Sequence, residues 1–409
     1  MEFSRARAIF FLSSFVYLIL QLYLFHRVRS YLSRRFHDRR RIWLTGVVGG
    51  FFLLMLVPLA WYLYSGMVPR RPALGWARPF SLLFAVWSFG STGAVLILLG
   101  SELLRLLPKL FAPRPAPVDL ARRRFLQKGA AAAAVAPFLV SGYGALMARR
   151  RFEVEHFDLP MSGLSSDLSQ LSIVQLSDIH VGPFMPAEEL AAYVEEINRL
   201  EPDLIALTGD FIATSPSEAE PCVETLSKLE ARYGIFACMG NHDVYAGVEN
   251  KLTRLFGKAG VRVLRNDAVS LEIKNSRIDV LGIDDLNWGQ PDLPRALRTA
   301  ESKPGELSVL LSHRPEIFPA AAQKGIEVVL SGHYHGGQVK LTPDPRSFSI
   351  ARFLTPYAEG LYHLSGRRLD SKPDAKDSML FVSRGIGITA LPIRINCPPQ
   401  IAHLTLRKA

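Results

Sequence analysis

Two hydrophobic patterns divide this chain. Along residues 1–151 the apolar residues come in long runs, and four of these, 8–25, 42–64, 80–100 and 129–148, contain no charged residue. A helix needs roughly 20 predominantly apolar residues to cross a bilayer, so each run predicts a spanning helix, the first being the shortest. Buried helices of a water-soluble domain are the alternative, but Arg-rich connectors between such runs are hard to fold in water. Trp43, Trp61, Tyr62 and Tyr64 stand near the ends of the second run, where interfacial aromatics are expected.

From residue 152 onward short β-rich runs alternate with amphipathic helices. Strands are predicted at 172–176, 204–207, 235–239, 307–311 and 328–330, and further β segments at 269–273 and 278–283. Helices are predicted at 186–200, where Leu190, Val194 and Ile197 share a face, and at 217–230. The expected architecture is an N-terminal all-α transmembrane region followed by an α/β domain of two packed mixed β-sheets flanked by helices. Three regions follow: 1–111 with three spans and basic connectors, 112–151 with a Pro-rich linker and the fourth span, and 152–409 as the α/β domain.

Charge sharpens this division. The chain carries a net charge of +11, but residues 1–151 hold 22 basic and 4 acidic residues, against 26 and 33 in the remainder. The basic excess therefore belongs to the membrane region. No basic stripe with interleaved aromatics accompanies the second half, so a nucleic-acid partner is not expected. The three cysteines, Cys222, Cys238 and Cys397, form no C-x-x-C pair, which argues against a disulfide framework or a zinc knuckle.

Loop charges also suggest an orientation. Arg27, Arg29, Arg34, Arg35, Arg39, Arg40 and Arg41 follow the first run, and Lys109, Arg114, Arg122, Arg123, Arg124 and Lys128 precede the fourth. The middle connector carries only Arg70, Arg71 and Arg78. The positive-inside rule places the first and third connectors in the cytoplasm and everything after Ala148 outside. Arg5, Arg7 and the run Arg149-Arg150-Arg151 oppose it. The segment from Arg122 to Lys128 resembles a twin-arginine export motif, departing from it at Ala121 and Gln127. The expectation is a multi-pass protein of the bacterial inner membrane, with an extracytoplasmic C-terminal domain and the fourth span kept as an anchor.

The candidate chemistry lies in five short blocks: Asp178-Ile179-His180, Gly209-Asp210, Gly240-Asn241-His242-Asp243, His313, and Gly332-His333-Tyr334-His335. They offer three acids, an amide oxygen and five imidazoles. Each ends a predicted strand, and strand ends of one sheet bring distant residues together. Asp178 and His180 stand two apart, so in an extended segment they point to the same side. Asp210 has two oxygens and could bridge. This mixed O/N set suits a pair of divalent ions, with Mn, Fe and Zn all compatible. Two ions about 3.5–4 Å apart can clamp a phosphate and generate hydroxide for in-line attack.

These blocks, in this order, resemble those of the calcineurin-like metallophosphoesterases: D-x-H, G-D, G-N-H-D/E, H, G-H-x-H. The correspondence spans 178–335. Together with the N-terminal spans and the ending Ile393-Arg394-Ile395-Asn396-Cys397-Pro398-Pro399, it looks like the membrane-associated YkuE/YaeI-type branch. The resemblance implies that Asp178, His180 and His335 bind one metal, that Asn241, His313 and His333 bind a second, and that Asp210 bridges. It further implies that His242 faces the phosphate and either protonates the leaving oxygen or stabilises the transition state, with Asp243 orienting it by a hydrogen bond. The implied activity is metal-dependent phosphoester hydrolysis, a phosphodiester being favoured, with a lipid-linked or a soluble substrate both open. The alternatives are a pyrophosphohydrolase of a nucleotide-linked lipid (UDP-diacylglucosamine-type) and a metal-binding sensor or scaffold without turnover; the presence of His242, which no structural site needs, argues against the latter.

Other polar residues read as local structure or as site lining. Asp284 and Asp285 with Asn287 could line the site or form a solvated turn. Arg384 could reach a phosphate or form a structural ion pair. His156, His363 and His403 fit no block. The Pro-, Ser- and Arg-rich stretch 342–377, with Phe348, Phe353, Tyr357 and Tyr362, could be a surface excursion or an apolar wall for a lipid-like substrate.

Overall fold

The computed structural model describes residues 2–65, 78–111, 120–300, 307–365, 377–389 and 392–409. The Pro-rich connector 112–117, the connector residues Arg70 and Arg71, and 366–376 of the late excursion lie outside the described residues. The chain divides into two compact units, 1–146 and 147–409.

The first unit is helical: α1 Glu2–Arg35, α2 Asp38–Ser65, α3 Arg78–Phe111, α4 Leu120–Ala133 and α5 Ala136–Leu146. Among the described residues three segments are long and apolar enough to cross a membrane: Asp38–Val57, Leu82–Leu104 and Arg124–Arg150. The first predicted span falls within α1. The fourth is interrupted between Ala133 and Ala136. Pro137 is the cause, because a proline offers no amide to Ala133 and its ring clashes with that carbonyl; the amide of Val135 instead bonds Ala132 in a tighter turn. Helix α5 packs closely on α3 because the facing positions are Gly90 and Gly93, where a Cβ would fall 2.2 Å from the Phe138 ring and 2.7 Å from Pro137. Small residues of this kind let apolar helices approach in a bilayer. Gln21 ties α1 to α3, donating to Ser91 Oγ at 2.8 Å and accepting from Trp87 Nε1 at 3.1 Å. Leu12, Phe15, Ile19, Leu53, Leu54, Leu96 and Leu104 remain exposed on these helices, as lipid-facing side chains must be.

The second unit is a sandwich of two six-stranded mixed sheets. Its strands are β1 Glu153–Met161, β2 Ser172–Leu176, β3 Leu204–Leu207, β4 Ile235–Ala237, β5 Val261–Val263, β6 Asp267–Ile273, β7 Ser276–Gly282, β8 Leu307–Leu311, β9 Val328–Ser331, β10 Gly360–Leu364, β11 Ser378–Val382 and β12 Gln400–Lys408. One sheet runs β1-β12-β2-β3-β4-β5 and the other β10-β11-β9-β8-β7-β6. Ile173, Leu204, Ala206 and Phe236 of the first sheet meet Ile278, Val309, Val328 and Phe381 of the second in a shared core. The outer face of the first sheet is covered by α6 Ala187–Arg199, α7 Ala219–Leu226 and α9 Glu249–Lys258, and that of the second by α10 Leu293–Thr299 and α11 Phe318–Gln323. Central strands buried on both faces must be apolar throughout, which is why β2, β3, β8 and β9 stand out in the sequence.

The strands β2, β3, β4 are parallel in one sheet, and β7, β8, β9 are parallel in the other. All five blocks therefore leave the carboxyl ends of strands.

Candidate metal centre

The blocks converge in three overlapping groups: Asp178, His180 and His335; His180, Asp210 and His242; and Asp210, His313 and His333. Within each group the ligand atoms lie within 4.8 Å of one another. Asp210 and His180 each belong to two groups, so the three form one continuous cluster. The closest approaches are His335 Nε2 to Asp178 Oδ1 at 3.2 Å, His180 Nε2 to His335 Nε2 at 3.2 Å, His313 Nε2 to Asp210 Oδ2 at 3.3 Å and His180 Nε2 to Asp210 Oδ2 at 3.5 Å.

These separations fit ligands around a metal. Ligands about 2.1 Å from an ion stand about 3.0–3.4 Å apart in octahedral or tetrahedral arrangements. The hydrogen bonding points the same way. His313 donates from Nδ1 to the carbonyl of Thr208 at 2.8 Å, which turns its buried Nε2 toward Asp210 Oδ2, 3.3 Å away. Metal-ligating histidines are commonly oriented in this manner.

The electrostatics describe a donor set. Burial pushes the imidazole of His180 down to about 3. Burial, with the neighbouring His313 and His180 respectively, holds His333 and His335 well below the usual imidazole range. Burial would raise Asp210, but His313, His180 and His242 hold it well below the usual carboxylate range. His313 differs: against burial, the carboxylates of Asp210 and Asp178 raise it to about 10. Burial raises Asp178 to about 6. Neutral imidazoles around an ionised carboxylate are the forms that coordinate a cation.

The local backbone departs from the extended segment expected at the first block. Asp178 and His180 have φ of +51° and +52°, and Asp210, His333 and His335 also occupy the left-handed region. Asp178 and His180 nevertheless converge, because their loop is tied to the next one: the amides of Asp178, His180 and Val181 bond the carbonyls of Gly209, Asp210 and Phe211. Left-handed residues cost roughly 1–2 kcal/mol each, a strain typical of functional sites. Close approach also dictates two glycines. A Cβ on Gly240 would fall 2.2 Å from Asp210 Oδ1, and one on Gly332 would fall 2.2 Å from Asp178 Oδ2.

The G-N-H-D block lies on α8 Asn241–Tyr245. Its structure corrects the expected partner of His242. His242 Nδ1 lies 2.6 Å from the Ala213 carbonyl, to which it donates. The Asp243 carboxylate instead accepts from the amides of Gly240, Asp210, Phe211 and Ile212. Being buried, it satisfies two adjacent loops rather than the imidazole. Tyr245 and Trp288, both partly exposed, form a T-shaped pair beside His242, with centroids 4.5 Å apart.

Two arginines take places at the site that the sequence did not assign to them. Arg314 donates to Asp285 Oδ2 at 2.8 Å, lies 2.7 Å from His333 Nε2 and reaches Asn241 Oδ1 at 3.4 Å. Asn241 is thereby connected to the cluster, and Asp285 serves it as an arginine anchor. The signal was the adjacency of Arg314 to His313. Arg394, fully buried, donates to the carbonyls of Arg384, Gly385 and Gly387 and contacts His335 Nδ1 at 3.4 Å. Asp284 pairs with Arg265, and Arg384 pairs with Glu155 and Glu153, so both are structural. His156 and His403 contact each other across β1 and β12, away from the blocks.

Comparisons with known proteins agree with this geometry. A family model described as calcineurin-like phosphoesterase matches residues 171–337. A second, described as the probable transmembrane domain of a calcineurin-like phosphoesterase, matches residues 6–149. The uncharacterized metallophosphoesterase YkuE of Bacillus subtilis (strain 168) is 30% identical over 296 residues, covering 70% of this chain and 98% of that protein. The transmembrane protein with metallophosphoesterase domain of Danio rerio is 29% identical, covering 65% of this chain and 60% of its own length. An uncharacterized metallophosphoesterase of Campylobacter jejuni is 29% identical, covering 62% of this chain and 63% of its own. The chain thus spans less than two thirds of the latter two. It belongs to the calcineurin-like metallophosphoesterase family, and it is a membrane protein carrying that family's transmembrane domain.

Proposed function

We propose that this protein is a membrane-anchored phosphohydrolase that works with two divalent metal ions on phosphodiesters. The observation that carries the reading is the position of Asp210, whose carboxylate is shared between the His180 side and the His313 side of one buried cluster. In this reading Asp178, His180 and His335 would hold one ion, Asn241, His313 and His333 would hold the other, and Asp210 would be shared between them. Bound ions supply Lewis-acid polarisation of a phosphoryl oxygen and a nucleophilic hydroxide. The chain's own residues do the rest. His242 would give a proton from Nε2 to the leaving oxygen, keeping the Nδ1–H that the Ala213 carbonyl already holds. Asp243 is a positioning residue, binding the backbone of the Asp210 loop to that of the His242 helix. Arg314 places a permanent positive charge among the ligands of the second ion.

The test is hydrolysis of bis(p-nitrophenyl) phosphate by the full chain in detergent, across Mn, Zn, Fe and Mg. Asn241→Ala should abolish turnover in a folded protein, and a near-normal rate in metal-supplemented buffer would overturn the ligand assignment.

The partly exposed pair Tyr245–Trp288 beside His242 favours a second reading, hydrolysis of a pyrophosphate in a nucleotide-linked lipid, since aromatic rings can stack a base. A phosphodiester without a base would then be the poorer substrate.

For orientation, we place the catalytic unit on the outer face, as the connector charges suggest. A reporter fused after Ala409 that is active only in the cytoplasm would reverse the orientation.

A further inference from the structure

The segment that follows the His333–His335 loop carries a concentration of exposed apolar side chains. Leu341, Phe348, Ile350, Phe353 and Leu354 are between 61% and 75% exposed. They form one patch. Leu341 pairs with Phe348 through a backbone hydrogen bond, and the rings of Phe348 and Phe353 meet at 5.4 Å. Ile350, Phe353 and Leu354 stand three and four residues apart around the short helix α12 Ala351–Leu354, hence on one face. A contiguous exposed patch of this kind marks a surface meant to be covered.

The patch is built onto the metal centre. A Cβ on Gly337 would fall 2.8 Å from Ser349, so the excursion lies directly against the His335 loop. Lys340 and Glu359, both buried, close its base with an ion pair at 2.5 Å. The Tyr334 hydroxyl and Thr355 Oγ1 both bond Glu316.

We infer that the segment 341–354 inserts its apolar side chains into the surface of the bilayer in which the chain is anchored, holding the His335 loop at the level of phosphoester headgroups. Three observations favour a bilayer as the occupant. The chain carries spanning helices, and only six residues separate α5, ending at Leu146, from β1, starting at Glu153. The excursion satisfies much of its own backbone: the amides of Leu341, Ser347, Phe353 and Thr355 bond the carbonyls of Phe348, Asp344, Ile350 and Ala351. An apolar phase tolerates only such backbone. Aromatic and aliphatic tips with the exposed polar pair Arg346–Asp344 beside them match an interfacial segment. The docking stands on these observations alone; its consequence for lipid substrates rests on the phosphohydrolase reading.

The test uses the full chain in phosphatidylcholine nanodiscs. Phe353→Cys is labelled with a polarity-sensitive fluorophore; the native Cys222, Cys238 and Cys397 are buried and should not react. Spin-labelled lipid should quench this label and spare one at Arg232→Cys, an exposed position before the amino end of β4. Equal quenching at both positions, none at Phe353→Cys, or shielding that depends on a second copy of the chain would overturn the proposal. The triple variant Phe348→Ser, Phe353→Ser, Leu354→Ser should lower turnover of a nanodisc-borne lipid phosphodiester roughly tenfold relative to that of bis(p-nitrophenyl) phosphate. An unchanged ratio counts against docking. Quenching without any hydrolysis would instead overturn the phosphohydrolase reading and leave docking intact.

Discussion

His242 and Asp243 are neighbours in the chain and serve different partners. His242 Nδ1 approaches the carbonyl of Ala213 to 2.6 Å, whereas the Asp243 carboxylate accepts from the amides of Gly240, Asp210 and Phe211 at 2.9–3.0 Å. The proposed acid is therefore oriented by backbone, and the carboxylate beneath it holds together the loops that carry Asp210 and Asn241.

The two residues should fail differently. His242→Ala removes the proton donor, so its rate loss should be about 100-fold for an alkyl leaving group and small for p-nitrophenolate, which leaves without a proton. Asp243→Asn keeps the donor but turns an acceptor into a donor facing amides. It should cost about 1–3 kcal/mol of stability and slow both substrates alike. Measured rates across a leaving-group series, with melting curves, check this; a leaving-group dependence in Asp243→Asn would restore its expected contact with His242.

Arg314 ties Asp285 to the His333 and Asn241 side of the centre. A guanidinium only donates, so its charge opposes a cation bound nearby while favouring an anionic substrate. Arg314→Gln should bind the metals at least as tightly as the parent and raise KM about tenfold. Metal titration and steady-state kinetics separate the two effects; weakened metal binding at unchanged KM would show that the arginine mainly supports the fold.

Metal loading should release a proton. The Asp210 and Asp178 carboxylates hold His313 at about 10, while Asp178 itself lies at about 6. At about pH 8 Asp178 is ionised, His313 is charged, and binding an ion at His313 should expel about one proton. Affinity then rises with pH. Stability of the metal-free fold moves in the opposite sense. The raised His313 contributes fully below its ordinary value of 6.5 and loses that contribution as pH rises through about 10. Calorimetric titration with Mn in buffers of different ionisation enthalpy measures the release; none at about pH 8 would contradict a protonated His313.

Gly332 should tolerate no side chain. A Cβ there meets Ser177 Oγ at 2.0 Å and Asp178 Oδ2 at 2.2 Å, so Gly332→Ala must push the Asp178 carboxylate aside. Gly247 has φ of +65° but open space around it. Gly247→Ala should cost about 1 kcal/mol of strain and leave metal binding intact. Metal content after purification distinguishes them.

Much of the catalytic fold was legible because the central strands are buried on both faces. β3 Leu204–Leu207 and β8 Leu307–Leu311 are read from apolar content alone. The strand expected to reach Met239 stops at Ala237, since the chain must turn for Gly240 to pass beneath Asp210. The broken helix at Pro137 was signalled by that proline, yet hidden by the apolar run around it.

The amino-acid sequence by itself determined which residue types could meet: hydrophobic periodicity set the strands, and parallel strands deliver their carboxyl-terminal residues to one edge. Only the tertiary structure decided how they meet. The left-handed backbone at Asp178, His180 and Asp210, the Ala213 carbonyl that orients His242, and the arrival of Arg314 and Arg394 depend on contacts between segments far apart in the chain. Local pattern carries no record of such contacts, because their energy exists only after the sheets have packed.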